Sequence, residues 1–340
     1  MEYNGGVSLS PDTAGRTAGR RVVTVPALFV LAIVLVATIP VWLPLTVVVD
    51  VVRLRFRLPL ARLLAFGVCW TWLEVAGVLA AFGLWITGQR GNARAHDALQ
   101  RWWATNLLRA LRTTCGITLE AEGVEAFTPG PVLLFARHAS LADSLVSAYV
   151  VVTLAAMHPR FVLKRELLAD PCLDIVGHRM RNHFLDRGAN DSAPELAAVS
   201  ALVADLGPRD VGIIFPEGTR ANPAKRATAL ARIAERDPVR AQRLAGLGHL
   251  LPPRPSGAHA MAAAASDADV VLAWHVGFEG LDTFGGILAA LGRPFPPVRF
   301  VARRVPAAEV PRDDGFVMWL DEQWIAMDAE IAAALTARNE

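Results

Sequence analysis

The chain has 340 residues, a formal net charge of +2 and 53% hydrophobic residues, with a mean hydropathy of +0.36. The length allows a sizeable core in one or two domains; the hydropathy is high for a protein that stays wholly in water, and the near-neutral balance carries no electrostatic footprint for nucleic acid. Cys69, Cys115 and Cys172 are scattered and form no C-x-x-C, which argues against a zinc site or a disulfide framework and fits a reducing compartment.

The first stretch, residues 1–21, is a polar tail that ends in Arg16, Arg20 and Arg21. From Val22 to Val49 no residue is charged, and this run exceeds the ~20 residues a helix needs to cross a bilayer. It is too long for a signal peptide, and no small-residue cleavage site stands out. Arg53, Arg55, Arg57 and Arg62 follow, then a second apolar run, Leu63 to Ile86, holding one acid, Glu74. The expectation is a membrane-embedded helical hairpin over residues 22–95, either spanning the bilayer or lying in one leaflet as a wedge. Arginines flank it on both sides and fill its loop, so charge does not choose the orientation. Glu74 is expected as a neutral or partnered carboxyl facing the other helix. His96 and Asp97 lack partners at ligand spacing and read as surface residues. Leu99, Trp103, Leu107 and Leu111 recur at helical spacing, for an amphipathic helix on the membrane surface or on the next domain.

From Ile117 short β-like runs alternate with Ala-rich stretches. The strands are expected at Ile117–Ala121, Val132–Ala136, Arg160–Leu163, His183–Leu185, Val211–Phe215, Val270–His275 and Val298–Ala302. The helices are expected at Ala139–Val152, Pro194–Asp205, Ala224–Ala245 with a break at Pro238, Ala258–Ala265 and Gly315–Leu335. Such alternation predicts a layered α/β domain over residues 96–340 with a largely parallel sheet. Pro252-Pro253-Arg254-Pro255 reads as a rigid connector.

Two stretches carry chemistry. In Pro131 to Asp143, P-V-L-L-F-A-R-H-A-S-L-A-D, a buried strand breaks at Arg137-His138 and a helix-compatible segment follows. His138 then sits where strand gives way to helix, with Asp143 five residues on. A carboxylate holding one ring nitrogen leaves the other free to take a proton from a hydroxyl. Alone, a His-x4-Asp is a weak signal whose bland reading is a capped helix with a surface histidine.

The second stretch, V-G-I-I-F-P-E-G-T-R from Val211 to Arg220, runs a buried strand into a tight turn. Gly218 permits the bend, and Thr219 and Arg220 offer a hydroxyl and a two-pronged donor to an anion. Lys225 either adds charge to the same anion or lies solvated at a helix start. The only lysines are Lys164 and Lys225, against a background of arginine. Between the stretches, Arg187 ends a short strand, where phosphate-binding side chains of α/β sheets gather, or else pairs with Asp186 or Asp191. His178 and His183 lack further ligands and read as structural.

His138-x4-Asp143 after an apolar strand, F-L-D-R ending at Arg187, and F-P-E-G-T-R ending at Arg220 occur in that order. From about Pro131 to Ala326 the chain resembles the lysophosphatidic acid acyltransferase family of glycerolipid acyltransferases. His249 to Gly257 and Val301 to Pro311, followed by Trp319 and Trp324, are similar to its lysocardiolipin acyltransferase branch. The resemblance implies one-step transfer of an acyl group, without an acyl-enzyme, from acyl-CoA or acyl carrier protein to the free hydroxyl of a lysophospholipid. It implies that His138 is the base and Asp143 its orienting acid. Arg187, Glu217, Gly218, Thr219 and Arg220 would bind the glycerol phosphate, with Lys164 nearby. No metal or cofactor is implied. The partners are the bilayer, the acyl donor and the lysolipid. The place it implies is a membrane, expected to be the bacterial inner membrane with the catalytic domain facing the cytoplasm. Arg137 stands where many relatives have Asn, and Ser140-Leu141-Ala142 replaces an aromatic-rich filler.

A serine hydrolase built on Ser140 is disfavoured, because no G-x-S-x-G exists and Ser140 lies only two residues from His138. Nucleotide binding lacks its Gly-rich loop ending in Lys-Ser or Lys-Thr. A membrane-anchored lipid-binding protein that kept the fold and lost turnover is the remaining rival.

Overall fold

Short, fully apolar runs of β-branched and aromatic residues become strands when both faces are covered, and the helix-rich segments between them supply that cover. The computed structural model describes residues 14–140, 142–186, 192–281 and 283–339. Its strands are β1 (Leu119–Glu122), β2 (Val132–Ala136), β3 (His158–Lys164), β4 (His183–Leu185), β5 (Asp210–Ile214), β6 (Asp269–Val276) and β7 (Val298–Val305). The helices are α1 (Ala14–Ala37), α2 (Ile39–Val52), α3 (Pro59–Ile86), α4 (Ala93–Ala110), α5 (Asp143–Tyr149) and α6 (Pro171–Gly177). Next come α7 (Ala193–Val203), α8 (Pro223–Ala234), α9 (Pro238–Leu244), α10 (Pro255–Ala264), α11 (Phe284–Leu291) and α12 (Phe316–Asn339).

The strands form a seven-stranded sheet in the order β1-β7-β6-β2-β5-β3-β4. β2 pairs parallel with β5 and β6, β5 with β3, and β1 with β7; the β6–β7 pair is antiparallel. The fold is α/β with a largely parallel sheet, as the alternation predicts.

By contact the chain divides into two units interleaved along the sequence. One holds α1 to α4, α6, β4 and α11; the other holds α5, α7 to α10, α12 and most of the sheet, and β3 passes from the second to the first at Leu163. This grouping differs from the contiguous division of 1–21, 22–95 and 96–340 read from the sequence. Segments distant along the chain pack with the N-terminal helices, which no local pattern records.

In the first unit, Gly15–Ala37 and Pro59–Ile86 are long and apolar enough to cross a bilayer. The arginines of the expected tail are already helical, because α1 starts at Ala14. The first apolar run is two helices, interrupted at Thr38 two residues before Pro40, which has no N–H to donate. Asp50 is 1% exposed, and its Oδ2 accepts the N–H groups of Leu60 (2.9 Å) and Ala61 (3.3 Å), capping the first turn of α3. Glu74 is buried as a partnered carboxyl: its Oε1 accepts the indole N–H of Trp70 on α3 (3.1 Å) and of Trp103 on α4 (2.9 Å). α1, α3 and α6 share a small core of Leu28, Ala32, Val75, Val78, Cys172 and Val176. At Gly77 any Cβ would collide with the Cys172 sulfur, so glycine sets how closely α3 and α6 approach.

His96 is not a surface residue. It is 1% exposed and its Nε2 bonds the Arg90 carbonyl at 3.0 Å, with burial lowering the ring's pKa. The chain folds back between α3 and α4, so the partner is a backbone group invisible to side-chain spacing.

In the second unit, all five residues of β2 are buried. Leu133 and Phe135 of β2, Val270 and Leu272 of β6, and Phe316 and Trp324 of α12 belong to one core. Each fully buried side chain of this size contributes about 1.5–3 kcal/mol, which anchors the strand that leads into the His138 loop.

Candidate active site

Three neighbouring strands of the second unit, β6, β2 and β5, run parallel and end at the same edge of the sheet, with Ala136 opposite Ala273 and Phe135 opposite Ile214. His275 lies at the end of β6, His138 just after β2 and Glu217 just after β5. Sites in open α/β sheets gather at the carboxyl ends of their strands.

The His138 loop is shaped by one carboxylate. Asp143, 1% exposed, accepts the N–H of Ala139 (2.6 Å) and of Ser140 (2.8 Å), the Ser140 hydroxyl, and Nδ1 of His138 (2.8 Å). Folding the backbone around this acceptor keeps residues 139–140 out of the helix. Asp143 is therefore the first residue of α5, and the helix expected from Ala139 starts there instead. The Nε2 of His138 makes no hydrogen bond among the described residues, and the side chain is 13% exposed. The ring also packs on Phe215, centroids 5.0 Å apart. Ser140 is 2% exposed with its hydroxyl committed to Asp143, so it is not an available nucleophile.

A second histidine completes the set. Nε2 of His275, a residue 3% exposed, lies 2.8 Å from the other Asp143 oxygen, an ion-pair distance rather than an aligned hydrogen bond. Burial alone would raise the Asp143 pKa; the charge on His275 and the hydrogen bonds from His138 and Ser140 outweigh it and hold the carboxyl well below its ordinary range. Arg137, 4% exposed, donates to the His275 carbonyl and to Oε1 of Glu279 (3.2 Å). The residue that departs from the family pattern thus fastens the strand end carrying the second histidine. Sequence reasoning left both residues out of the site. The available signal was a lone histidine closing an apolar strand.

Glu217 departs from expectation. It is 1% exposed, and its two oxygens accept the N–H groups of His138 (2.6 Å) and Leu251 (2.8 Å). It is a clamp on the His138 backbone and not an open contact for a phosphate. The clamp is itself held: Asp328 of α12 accepts the N–H groups of Gly248, His249 and Leu250, and Arg254 N–H donates to the Pro216 carbonyl at 2.8 Å. The His249–Gly257 stretch thereby buttresses the Glu-Gly-Thr-Arg turn. Burial pushes the Glu217 carboxyl up to about 8, against the pull of the His138 and Leu251 amides and of the Arg137 charge.

Gly218 adopts φ +69°, and a Cβ there would sit 3.2 Å from the Arg254 side chain. Thr219 and Arg220 are half-buried, and the Arg220 guanidinium has no hydrogen bond or ion pair among the described residues. The Ala221 N–H donates to the His138 carbonyl at 2.8 Å, which brings this turn beside the histidine loop. Lys225 is exposed; its Nζ donates to the Thr219 hydroxyl and the Arg220 carbonyl, both at 3.2 Å, closing the turn from outside. Lys164, the last residue of β3, belongs to the first unit, and Arg187 lies outside the described residues.

Residues 118–276 match the family model described as Acyltransferase. The chain carries an acyltransferase domain. The matched segment ends at Val276, so it contains both histidines and Asp143. A crystal structure of the 1-acyl-sn-glycerophosphate (LPA) acyltransferase PlsC from Thermotoga maritima is similar to the chain at 17% identity and a TM-score of 0.48, over 77% of this chain and 95% of that one.

Two outcomes test this site. A carboxyl whose folded pKa lies above the ordinary 4.5 stabilises the fold fully below that value and loses the contribution as pH rises toward 8. In thermal unfolding scans, the margin of wild type over Glu217→Gln is expected to shrink across that window; a constant or widening margin would show an ionised Glu217. The His275→Ala enzyme is expected to lose about tenfold in kcat, about 1.4 kcal/mol, with the acceptor KM unchanged. A wild-type kcat would remove His275 from the positioning of Asp143.

Proposed function

We propose that the protein transfers a fatty acyl group from acyl-CoA or acyl carrier protein to the free hydroxyl of a lysophospholipid, 1-acyl-sn-glycerol 3-phosphate, giving phosphatidic acid. The observation that carries this reading is His138: one nitrogen held at 2.8 Å by an ionised buried carboxylate, the other unengaged, beside a turn whose Arg220 guanidinium is unpaired among the described residues.

In this mechanism Nε2 of His138 takes the proton of the acceptor hydroxyl as its oxygen attacks the thioester carbonyl carbon. The tetrahedral adduct collapses with cleavage of the carbon–sulfur bond. The departing thiolate takes the proton back from the imidazolium, so the enzyme ends as it began. Asp143 stays ionised throughout and stabilises the transient imidazolium. A thioester needs no metal for this step, only a deprotonated alcohol held in place. Arg220, with Thr219 and Lys225 around it, grips the acceptor phosphate; Glu217 and Gly218 set the turn that presents Arg220. The two long apolar helices of the first unit embed the protein in the bilayer where acceptor and product reside. A bacterial inner membrane, with the catalytic residues on the cytoplasmic side, fits the free cysteines and the supply of acyl thioesters.

The test is a purified protein, labelled acyl-CoA and a panel of lysolipids, with products read by mass spectrometry. His138→Ala is expected to abolish transfer at unchanged protein level, and Arg220→Ala to raise mainly the KM for the phosphorylated acceptor. Full activity in the first variant refutes the base; a change confined to the acyl-CoA KM reverses the pocket assignment.

A further inference from the structure

The first unit contains a cleft of about 380 Å³ that shares no residue with the site around His138. It is built where the apolar helices give way to charge. Arg21 precedes the uncharged run of α1, Phe82 and Trp85 close the apolar run of α3, and Arg90 follows. α6 supplies Asp174, and His178 and Arg179 follow it.

The chemistry of the walls is divided. Phe82 and Trp85 stack at 5.7 Å and are 52% and 53% exposed, an apolar face open to solvent or lipid. The polar lining is cationic, with Arg21, Arg90 and Arg179 together with His178, and no carboxylate among the described residues lines the cleft. The nearest counter-charge, buried Asp174, is already shared: Arg20 binds it through two nitrogens at 2.9 and 3.0 Å, Arg21 donates to it at 3.0 Å, and His178 approaches it at 3.1 Å. Arg179 donates to the Ala81 carbonyl, and the Arg90 side chain has no partner among the described residues. Nε of Arg21 is buried with no hydrogen-bond partner there. Burial, then the like charges of Arg90 and Arg21, lower the pKa of Arg179, which marks the cluster as short of negative charge. Guanidinium groups gathered beside exposed aromatic rings at the end of a bilayer-length helix match a phosphate joined to an apolar body.

We propose that this cleft binds the phosphate of an anionic phospholipid, with its glycerol and first acyl carbons against Phe82 and Trp85. The proposal rests on the bilayer reading given above and concerns a lipid that is held, not turned over. Bound there, the lipid neutralises the cluster and ties α1, α3 and α6 together at the membrane surface.

The full chain in neutral detergent is titrated with dioctanoyl phosphatidylglycerol, dioctanoyl phosphatidylcholine and inorganic phosphate, with binding read by native mass spectrometry and thermal shift. Wild type is expected to bind the phosphatidylglycerol saturably and above both other probes, and Arg90→Gln to weaken it about tenfold. Arg90 suits the test because its side chain makes no hydrogen bond or ion pair among the described residues. Equal binding by wild type and Arg90→Gln would overturn the site. Inorganic phosphate binding as well as the lipid would reassign it to a free anion, and phosphatidylcholine binding as well would remove the charge recognition. His138→Ala is expected to bind like wild type. Binding is read without turnover, so an inactive chain that still takes up the lipid sinks only the catalytic reading, and an active chain indifferent to Arg90→Gln sinks only this one.

Discussion

The His138 loop depends on one buried carboxylate. An ion taken out of water is expensive unless its lone pairs are filled, and Asp143 fills its own with backbone amides, a hydroxyl and an imidazole, with a second imidazole beside it. Each donor is thereby given a position. The amides curl residues 139–140, the hydroxyl of Ser140 is withdrawn from solvent, and the His138 ring is turned so that its remaining nitrogen is the open one. The same group sets the loop's shape and the orientation of the ring.

The backbone of His138 is held from the other side. Glu217 takes its N–H, Ala221 donates to its carbonyl, and the clamp extends through Leu251 to the stretch that Asp328 of α12 fastens. A helix near the chain's C-terminus therefore fixes a loop in its first half through carboxylate-to-amide contacts, none of which needs a substrate. Contacts of this kind hold the His138 backbone, and with it the imidazole, in one place. The carboxyl of Glu217 is directed inward for the same reason: facing the N–H groups of His138 and Leu251, it organises the turn that carries Arg220.

The N-terminal unit reverses this balance of charge. Beside its cleft Asp174 is surrounded by Arg20, Arg21 and His178, and the Arg90 side chain has no ion pair among the described residues. Around Asp143 the charge of the carboxylate is answered internally, by amides, a hydroxyl and imidazoles. At the end of the apolar helices the surplus is positive and faces outward, and it asks for a partner from outside the chain.

Local chemistry determined much of this protein. The apolar runs specify strands β2 and β4 to the residue, and alternation with Ala-rich segments specifies the α/β class, because period and burial are properties of short windows. Apolar runs of bilayer length mark the N-terminal helices, the first of them broken at Thr38, and a five-residue offset was enough to pair His138 with Asp143. Only the tertiary structure decided the rest. His275 and Arg137 join the site because β6 lies beside β2 in the sheet, an adjacency separated by more than a hundred residues of chain. Glu217 turns inward because the amides of His138 and Leu251 converge on it, and His96 is buried because the chain folds back onto its own carbonyl. Backbone donors and strand order leave no mark in side-chain spacing, so the pairing of His138 with Asp143 was legible while the groups that hold the pair still were not.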